Sequence, residues 1–509
     1  MADTKREIER KYESDDSGLP DLTGVAGVAT VVDKGVAQLD ATYYDTPDER
    51  LAASSITLRR RTGGADAGWH LKFPVAKGVR DEIQAPLSDS LPRTLAGLVR
   101  SRVRETELVP VVRLRSDRDV RDLVDADGRL LAEVSVDAVR AERLDGGSGT
   151  VQWTEIEVEL ADGTDPAFLD KVEKRLKKAG VRPSSAESKL QRALAETAPK
   201  KQKKRAAKAR EPEAQAPAPA RTAGDHVLAY IGAQRDAIVE LDPAVRRDVY
   251  DSVHKMRVAT RRMRSAFKTY GKVLDREVTD PIGEELKWLA GELGVDRDQE
   301  VLTERLTEAL GELPRTLMSG PVRTRLRTWS HAKRGGSRRR LMNVLDGKRY
   351  LQLLDTLDAL VAEPPLLKAA AGKPEKVIAK AVRKDFGKLS GLVEHALELD
   401  SGADRDLALH EARKKAKRTR YAAESAVPAL GDSAGKLVKS MKSLQNLLGD
   451  HQDSVMTREA LRELARQAHA AGESTFTYGL LYGREEQRAA ADEAALPEAW
   501  AQMKAGVAV

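Results

Sequence analysis

Two short segments set carboxylates at every second position: Glu7-Ile8-Glu9-Arg10-Lys11 near the start, and Glu155-Ile156-Glu157-Val158-Glu159 further along. With the side-chain period of two that a strand imposes, Glu7, Glu9 and Lys11 share one face. Glu155, Glu157 and Glu159 likewise line up against Ile156, Val158 and Leu160. Three carboxylates in a row repel one another unless they spread into water or meet a cation. Their oxygens suit a hard divalent ion, Mg²⁺ or Mn²⁺. Between these segments the same alternation groups Arg59 with Arg61, His70 with Lys72, Arg113 with Arg115, and Arg80 with Glu82; Glu133 falls with Ser135 and Asp137. Guanidinium forks hold phosphate oxygens in pairs. A cation, a polyanion clamp and water are the parts of a metal-assisted phosphoryl-transfer site. No Gly-rich phosphate loop accompanies them, so side chains must hold the phosphates. For any one strand a solvated face explains the pattern. Acidic faces at both ends with basic faces between them point instead to one lined cavity.

A second set of residues is purely cationic. The segments HKMRVATRRMR from His254 and HEARKKAKRTR from His410 align without gaps. On a helix, positions 0, +3, +7 and +10 fall within an arc of roughly 80°. His254, Arg257, Arg261 and Arg264 therefore form one stripe, extended by Lys268, and His410, Arg413, Lys417 and Arg420 form the other. Solvated helix faces usually mix signs at i, i+4; these four-position stripes hold no acid. Downstream, LGVDRD from Leu293 matches LGDHQD from Leu448, an offset of 155 residues against 156 for the histidines. The near-constant offset indicates an internal duplication, with two stripes converging on one anionic ligand. Asp298 and Asp453, within the repeated motif, are expected to cap helices or brace arginines rather than bind metal.

The elements that must position these residues divide the chain. The 509 residues exceed one ordinary core, so two or more domains are expected. Up to about residue 197, short alternating runs are separated by Gly, Asp and Pro, which reads as strand-rich. The segment PKKQKKRAAKAREPEAQAPAPA has no apolar periodicity and carries seven basic residues from Lys200 to Arg210, so 198–222 is expected to be a linker. From 223 to 509 the apolar residues recur at i, i+3, i+4, an all-α pattern. With 87 Lys plus Arg against 80 Asp plus Glu, the net charge of +7 matters less than its placement. Zero cysteines exclude disulfides, thiolate metal sites and a Cys nucleophile. Aromatics at 4% leave little base-stacking surface for single-stranded nucleic acid. No apolar run reaches the roughly 18 residues of a membrane span, so a soluble, cytoplasmic protein with no membrane partner is expected.

Glu7-x-Glu9-x-Lys11, followed in order by YYDTPDERL from Tyr43, LRRR from Leu58, LKFP from Leu71, EIEVEL from Glu155 and SKLQRAL from Ser188, resembles the CYTH, or triphosphate tunnel metalloenzyme, family over about residues 3–196. That resemblance implies an eight-stranded antiparallel β tunnel with flanking helices and charged side chains in its lumen. It implies metal ions on Glu7, Glu9, Glu155, Glu157 and Glu159, with Glu133 in support. It also implies a triphosphate held by Lys11, Arg59, Arg61, Lys72, Arg113, Arg115 and Lys189, with Lys11, Glu7 and Glu9 at the catalytic centre. The duplicated helices resemble the CHAD domain over about residues 225–505. This implies inorganic polyphosphate bound by His254, Arg257, Arg261, Arg262, Arg264, His410, Arg413, Lys414, Lys417, Arg418 and Arg420.

The expectation is thus a multidomain α+β protein: a tunnel domain at 1–197, a linker at 198–222 and a duplicated helical bundle at 223–509. The function expected is a divalent-metal-dependent triphosphatase, acting on inorganic triphosphate or polyphosphate ends, joined to a polyphosphate-binding module. The alternatives are a non-catalytic adaptor associated with polyphosphate granules, an adenylate cyclase, and a nucleic-acid binder. No recognised DNA- or RNA-binding motif supports the last, and no base-recognition pocket supports the cyclase.

Overall fold

The computed structural model describes residues 4–14, 18–144, 149–198, 221–334 and 336–506. The chain divides into two compact units, Met1–Gln215 and Ala216–Val509. Most of the expected linker, residues 199–220, lies outside the described residues.

In the first unit, β1 (Thr4–Ser14), β2 (Thr30–Asp45), β3 (Thr57–Thr62), β4 (Gly68–Ala76), β5 (Val79–Pro86), β6 (Val109–Val124), β7 (Leu130–Arg143) and β8 (Thr150–Leu160) form an antiparallel sheet. Its order is β5-β4-β3-β2-β6-β7-β8-β1, with the two-residue β9 (Arg182–Pro183) added outside β1. Pairing of β5 with β1 closes the eight strands into a ring. Gly78, at φ +72° in the tight β4–β5 hairpin, permits this closure. Its carbonyl accepts the Glu9 N–H at 2.9 Å, and a Cβ there would press to 2.8 Å on the Glu9 carbonyl oxygen.

Alternation then assigns the two faces. On the outer face, α1 (Arg93–Val103) covers Leu58, Leu71 and Ile83, and α2 (Ala167–Lys178) covers Tyr12, Val134, Ile156 and Val158. The charged alternates of those strands therefore point into the ring. The third helix, α3 (Lys189–Thr197), is capped by the Ser188 hydroxyl, which accepts from the Gln191 N–H. It packs Leu190, Ala193 and Leu194 against Tyr43, Leu114, Val139 and Trp153. The strand pairings put those four on the same face as the lumen charges, so α3 plugs the ring from inside.

The second unit is all-helical: α4 (Ala223–Arg246), α5 (Ser252–Thr269), α6 (Arg276–Glu292), α7 (Val295–Gly311), α8 (Val322–Arg334), α9 (Ser337–Asp346), α10 (Lys348–Ala362), α11 (Pro374–Glu398), α12 (Ala403–Leu430), α13 (Asp432–Ala470) and α14 (Phe476–Gly506). A capping box at Thr222 and Asp225 starts α4 by satisfying two end N–H groups reciprocally. The stripe-bearing helices α5 and α12 pack on one another within a single core that includes Met256, Met263, Phe267, Leu409 and Ala416. The first copy of the repeated motif sits where α6 gives way to α7 at Leu293-Gly294, whereas the second runs unbroken through α13. Among the described residues, no helix is long and apolar enough to cross a membrane.

Candidate functional site

The ring's lumen is charge-lined and largely shielded from water. Glu7, Glu9, Arg61, His70, Arg80, Glu82, Asp137, Glu155, Glu157 and Lys189 are all buried, so these faces are not solvated ones. Strand register stacks the acids in rows: Glu9 opposite Glu159 and Glu159 opposite Glu133, then Glu155 opposite Asp137. Like charges placed directly across a sheet are destabilising unless a cation joins them. Carboxylate oxygens of Asp137, Glu155 and Glu157 lie within 4.8 Å of one another. Here Lys189 supplies the cation, reaching Glu157 at 2.6 Å, Glu155 at 2.7 Å and Asp137 at 3.0 Å. Arg118 adds a bidentate pair to Asp137 (2.7 Å to each oxygen) and a third bond to Glu157 at 2.8 Å. An all-oxygen, buried, closely spaced donor set is what a hard divalent cation requires, and these three residues fit one.

Across the lumen the wall is basic. Arg59 donates to the Tyr43 hydroxyl at 3.3 Å, Arg61 meets Asp66, and Lys72 bridges Glu7 at 2.6 Å and Glu82 at 3.4 Å. His70 lies between Glu82 (2.8 Å) and the Asp66 carbonyl (2.9 Å). Lys11 contacts Glu9 at 3.1 Å and also Glu157, and Lys5 holds Glu159 at 2.6 Å.

Electrostatics sharpen this division. Burial pushes Glu7 up to about 7, with Lys72 only partly offsetting it. Burial acts on Glu157 too, but Lys11, Lys189 and Arg118 outweigh it and hold that carboxyl well below its ordinary range. Burial beside Arg59 and Arg118 drops the Arg61 guanidinium to about 9. Tyr43 is buried as well, yet Arg59, Lys189 and Lys72 bring its phenol below the usual value. These two shifts mark a locally positive patch around Arg59, while Lys72 is matched by Glu7 and Glu82.

Of the residues expected from sequence, Glu7, Glu9, Lys11, Arg59, Arg61, Lys72, Glu155, Glu157, Glu159 and Lys189 converge on the lumen. Arg113 and Arg115 do not. They lie on the outer face of β6, opposite Thr42 and Asp40, and Arg113 forks onto Asp40 at 2.6 and 2.9 Å while Arg115 stands at 3.5 Å. The lumen face of β6 is Val112, Leu114, Ser116 and Arg118, so Arg118 takes the place expected of Arg113 and Arg115. The neighbours of Arg113 and Arg115 on their own face are Asp117, Asp119 and Arg121, a mixture of signs typical of a solvated ladder. Asp137 joins the acidic cluster although sequence placed it only beside Glu133 and Ser135. Tyr43, His70 and Glu82 also enter the lumen.

In the helical unit the two stripes meet. Lys417 is lowered to about 7, chiefly by burial and then by Arg413, Arg261 and Arg257, while Asp453 opposes the shift. Arg264 donates to the Gly283 carbonyl at 3.1 Å. Arg413 lies 3.5 Å from Asp453, and His410 bonds Gln452 at 2.6 Å. His254 is exposed. Other expected cations lie off the junction: Arg262 (2.8 Å) and Arg420 (3.4 Å) share Glu424, Arg418 meets Asp385 at 3.2 Å, and Lys414 contacts Glu411. Asp453 does brace an arginine; the Asp298 side chain lies outside the described residues.

A CYTH domain model matches residues 5–194, and a CHAD domain model matches 229–462. The chain is also 39% identical over 495 residues to uncharacterized protein MT2285 of Mycobacterium tuberculosis (strain CDC 1551 / Oshkosh), covering 94% of this chain and 92% of that one. It belongs to the family in which a CYTH domain is followed by a CHAD domain. Similar solved structures include PptA from Streptomyces chartreusis, 21% identical over 54% of this chain and 98% of that one, with a TM-score of 0.47. The CHAD domain from the plant Ricinus communis is 24% identical over 58% of this chain and 95% of that one, with a TM-score of 0.44. The lumen is thus the interior of the CYTH unit, and the joined stripes lie in the CHAD unit.

Proposed function

We propose that the CYTH unit, at residues 1–197, is a divalent-metal-dependent hydrolase of inorganic triphosphate or polyphosphate ends, and that the CHAD unit, at 223–509, binds inorganic polyphosphate. The observation that carries the first half is the division of one buried lumen into an acidic wall (Asp137, Glu155, Glu157) and a basic wall (Arg59, Arg61, Lys72). Mg²⁺ or Mn²⁺ on the acidic wall would neutralise phosphate charge and lower the pKa of a bound water. The chain's own residues do the remainder. Arg59, Arg61 and Lys72 orient the phosphate chain and stabilise charge that builds on its oxygens. Lys11, between Glu9 and Glu157, faces the phosphate next to the acids. Lys189 and Arg118, which bridge the acids here, become free to meet phosphate once the acids take a cation. Burial of Arg61, Asp137, Glu155, Glu157 and Lys189, with Lys11, Arg59, Lys72 and Arg118 half-buried, strengthens these interactions by limiting water.

The polyphosphate half rests on the crowding of Lys417 by Arg413, Arg261 and Arg257, neighbouring like charges that a polyanion would relieve. Phosphate release from triphosphate, followed with Mg²⁺ and with Mn²⁺ for the wild type and Glu155→Gln/Glu157→Gln, tests the enzyme. Turnover by the wild type that is lost in the double variant supports it. No turnover by the wild type, or full turnover by the variant, would contradict it and favour an adaptor.

A further inference from the structure

Gly294 and Gly449 occupy equivalent positions in the duplicated segments, 155 residues apart. Neither is required by its backbone. Gly294 sits at φ −92°, ψ −22°, which any L-residue adopts. Gly449 lies inside α13, where glycine is less favourable than alanine. What the two share is the group that lies beside the position a Cβ would take. A Cβ on Gly294 would stand 2.7 Å from Nη2, 2.8 Å from Cζ and 3.1 Å from Nε of Arg257. A Cβ on Gly449 would meet Arg413 at 3.5 Å from Nη2 and 3.8 Å from Nε. Arg257 and Arg413 are themselves the equivalent stripe arginines, 156 residues apart.

We propose that Gly294 and Gly449 are seats for guanidinium groups, each letting one arginine of the basic stripes lie against the neighbouring helix backbone and stay positioned for polyphosphate. This rests on the polyphosphate reading of the CHAD unit. Arg257, Arg261 and Arg413 act on Lys417 as like charges, and long side chains that swing between rotamers lose that freedom when an anion binds. A seated guanidinium resists that swing, so less side-chain freedom is lost when the anion binds. The seats are not equal. The first is tight enough that alanine forces Arg257 to move, whereas the second leaves ordinary van der Waals room.

The test measures anisotropy of fluorescently labelled inorganic polyphosphate with the full chain. Gly294→Ala is expected to bind about fivefold more weakly. Gly449→Ala should lose less and show a higher thermal midpoint, because alanine favours the helix. In an Arg257→Ala background, adding Gly294→Ala should cost nothing further. Wild-type affinity in Gly294→Ala, or an undiminished loss in the Arg257→Ala background, overturns the seat. Failure of the wild type to bind polyphosphate overturns the polyphosphate reading instead. The seat is then read without ligand, from phenylglyoxal labelling of Arg257 located by mass spectrometry: faster labelling in Gly294→Ala supports it, and an unchanged rate overturns it.

Discussion

The two units place cations in opposite ways. In the CYTH lumen most are matched by acids: Lys11 with Glu9 and Glu157, Lys72 with Glu7 and Glu82, Lys189 and Arg118 with the Asp137–Glu155–Glu157 cluster. In the CHAD unit Arg257, Arg261 and Arg413 lie close enough to act on Lys417 as like charges, and Arg413 meets Asp453 at 3.5 Å. Burying a charge is costly unless it is paired, so the lumen neutralises itself in the absence of ligand. It gains free cations only when another cation claims the acids. The CHAD cluster sets like charges side by side around Lys417, which a polyanion would relieve without a metal. Under the proposed functions a metal requirement should therefore separate the two units: the lumen would take phosphate together with a divalent ion, and the CHAD unit would take it without one.

The largest effect expected is in the lumen. Glu155→Gln/Glu157→Gln should lower triphosphate turnover by about a thousandfold or more, while polyphosphate binding by the full chain persists. Substitutions on the two faces of β6 come next. Arg118→Ala should cost about a hundredfold in kcat/KM, because it removes a lumen cation that neighbours both walls. Arg113→Ala/Arg115→Ala should stay within about twofold, since those side chains make an outer-face pair with Asp40. Equal losses from both would erase the distinction between the faces.

The contrast between Arg118 and Arg113 also shows what sequence could and could not disclose. A charge-lined cavity was legible because acidic and basic alternation recurred strand after strand, with apolar partners such as Ile156, Val158 and Leu71 on the opposite face, whereas the eight-stranded ring was implied by the resemblance to the CYTH family. On β6 both parities carry charge or polarity, and the lumen face begins with Val112 and Leu114, which the α3 plug covers. Period alone cannot choose between such faces. Asp137 was visible as part of an alternating run, but its closeness to Glu155 depends on the β7–β8 register, a long-range pairing. The CHAD duplication was legible in its residue offset. Diversion of Arg262 and Arg420 to Glu424, one turn beyond the stripe, follows only from the packing of α5 on α12.

Smaller effects should sharpen the CHAD side. Lys417 titrates at about 7, so its ammonium is present below that pH and lost above it. Polyphosphate binding should weaken roughly fivefold between about pH 6 and pH 8, with bound phosphate shifting the slope upward by favouring the ammonium. Lys417→Arg should flatten the profile, because a guanidinium stays charged throughout. Glu424→Gln, which frees Arg262 and Arg420 above the Tyr421 ring, should tighten binding by about twofold in low salt.

The contrast between a lumen whose cations pair with acids and a CHAD cluster whose cations neighbour one another is tested most directly by chelation on one sample of the full chain. Triphosphate turnover and binding of labelled polyphosphate are followed together while a chelator removes divalent ions and Mg²⁺ or Mn²⁺ is then restored. Turnover should stop and return with the metal, while polyphosphate stays bound throughout. Loss of both activities on chelation, or turnover that continues without metal, would contradict it.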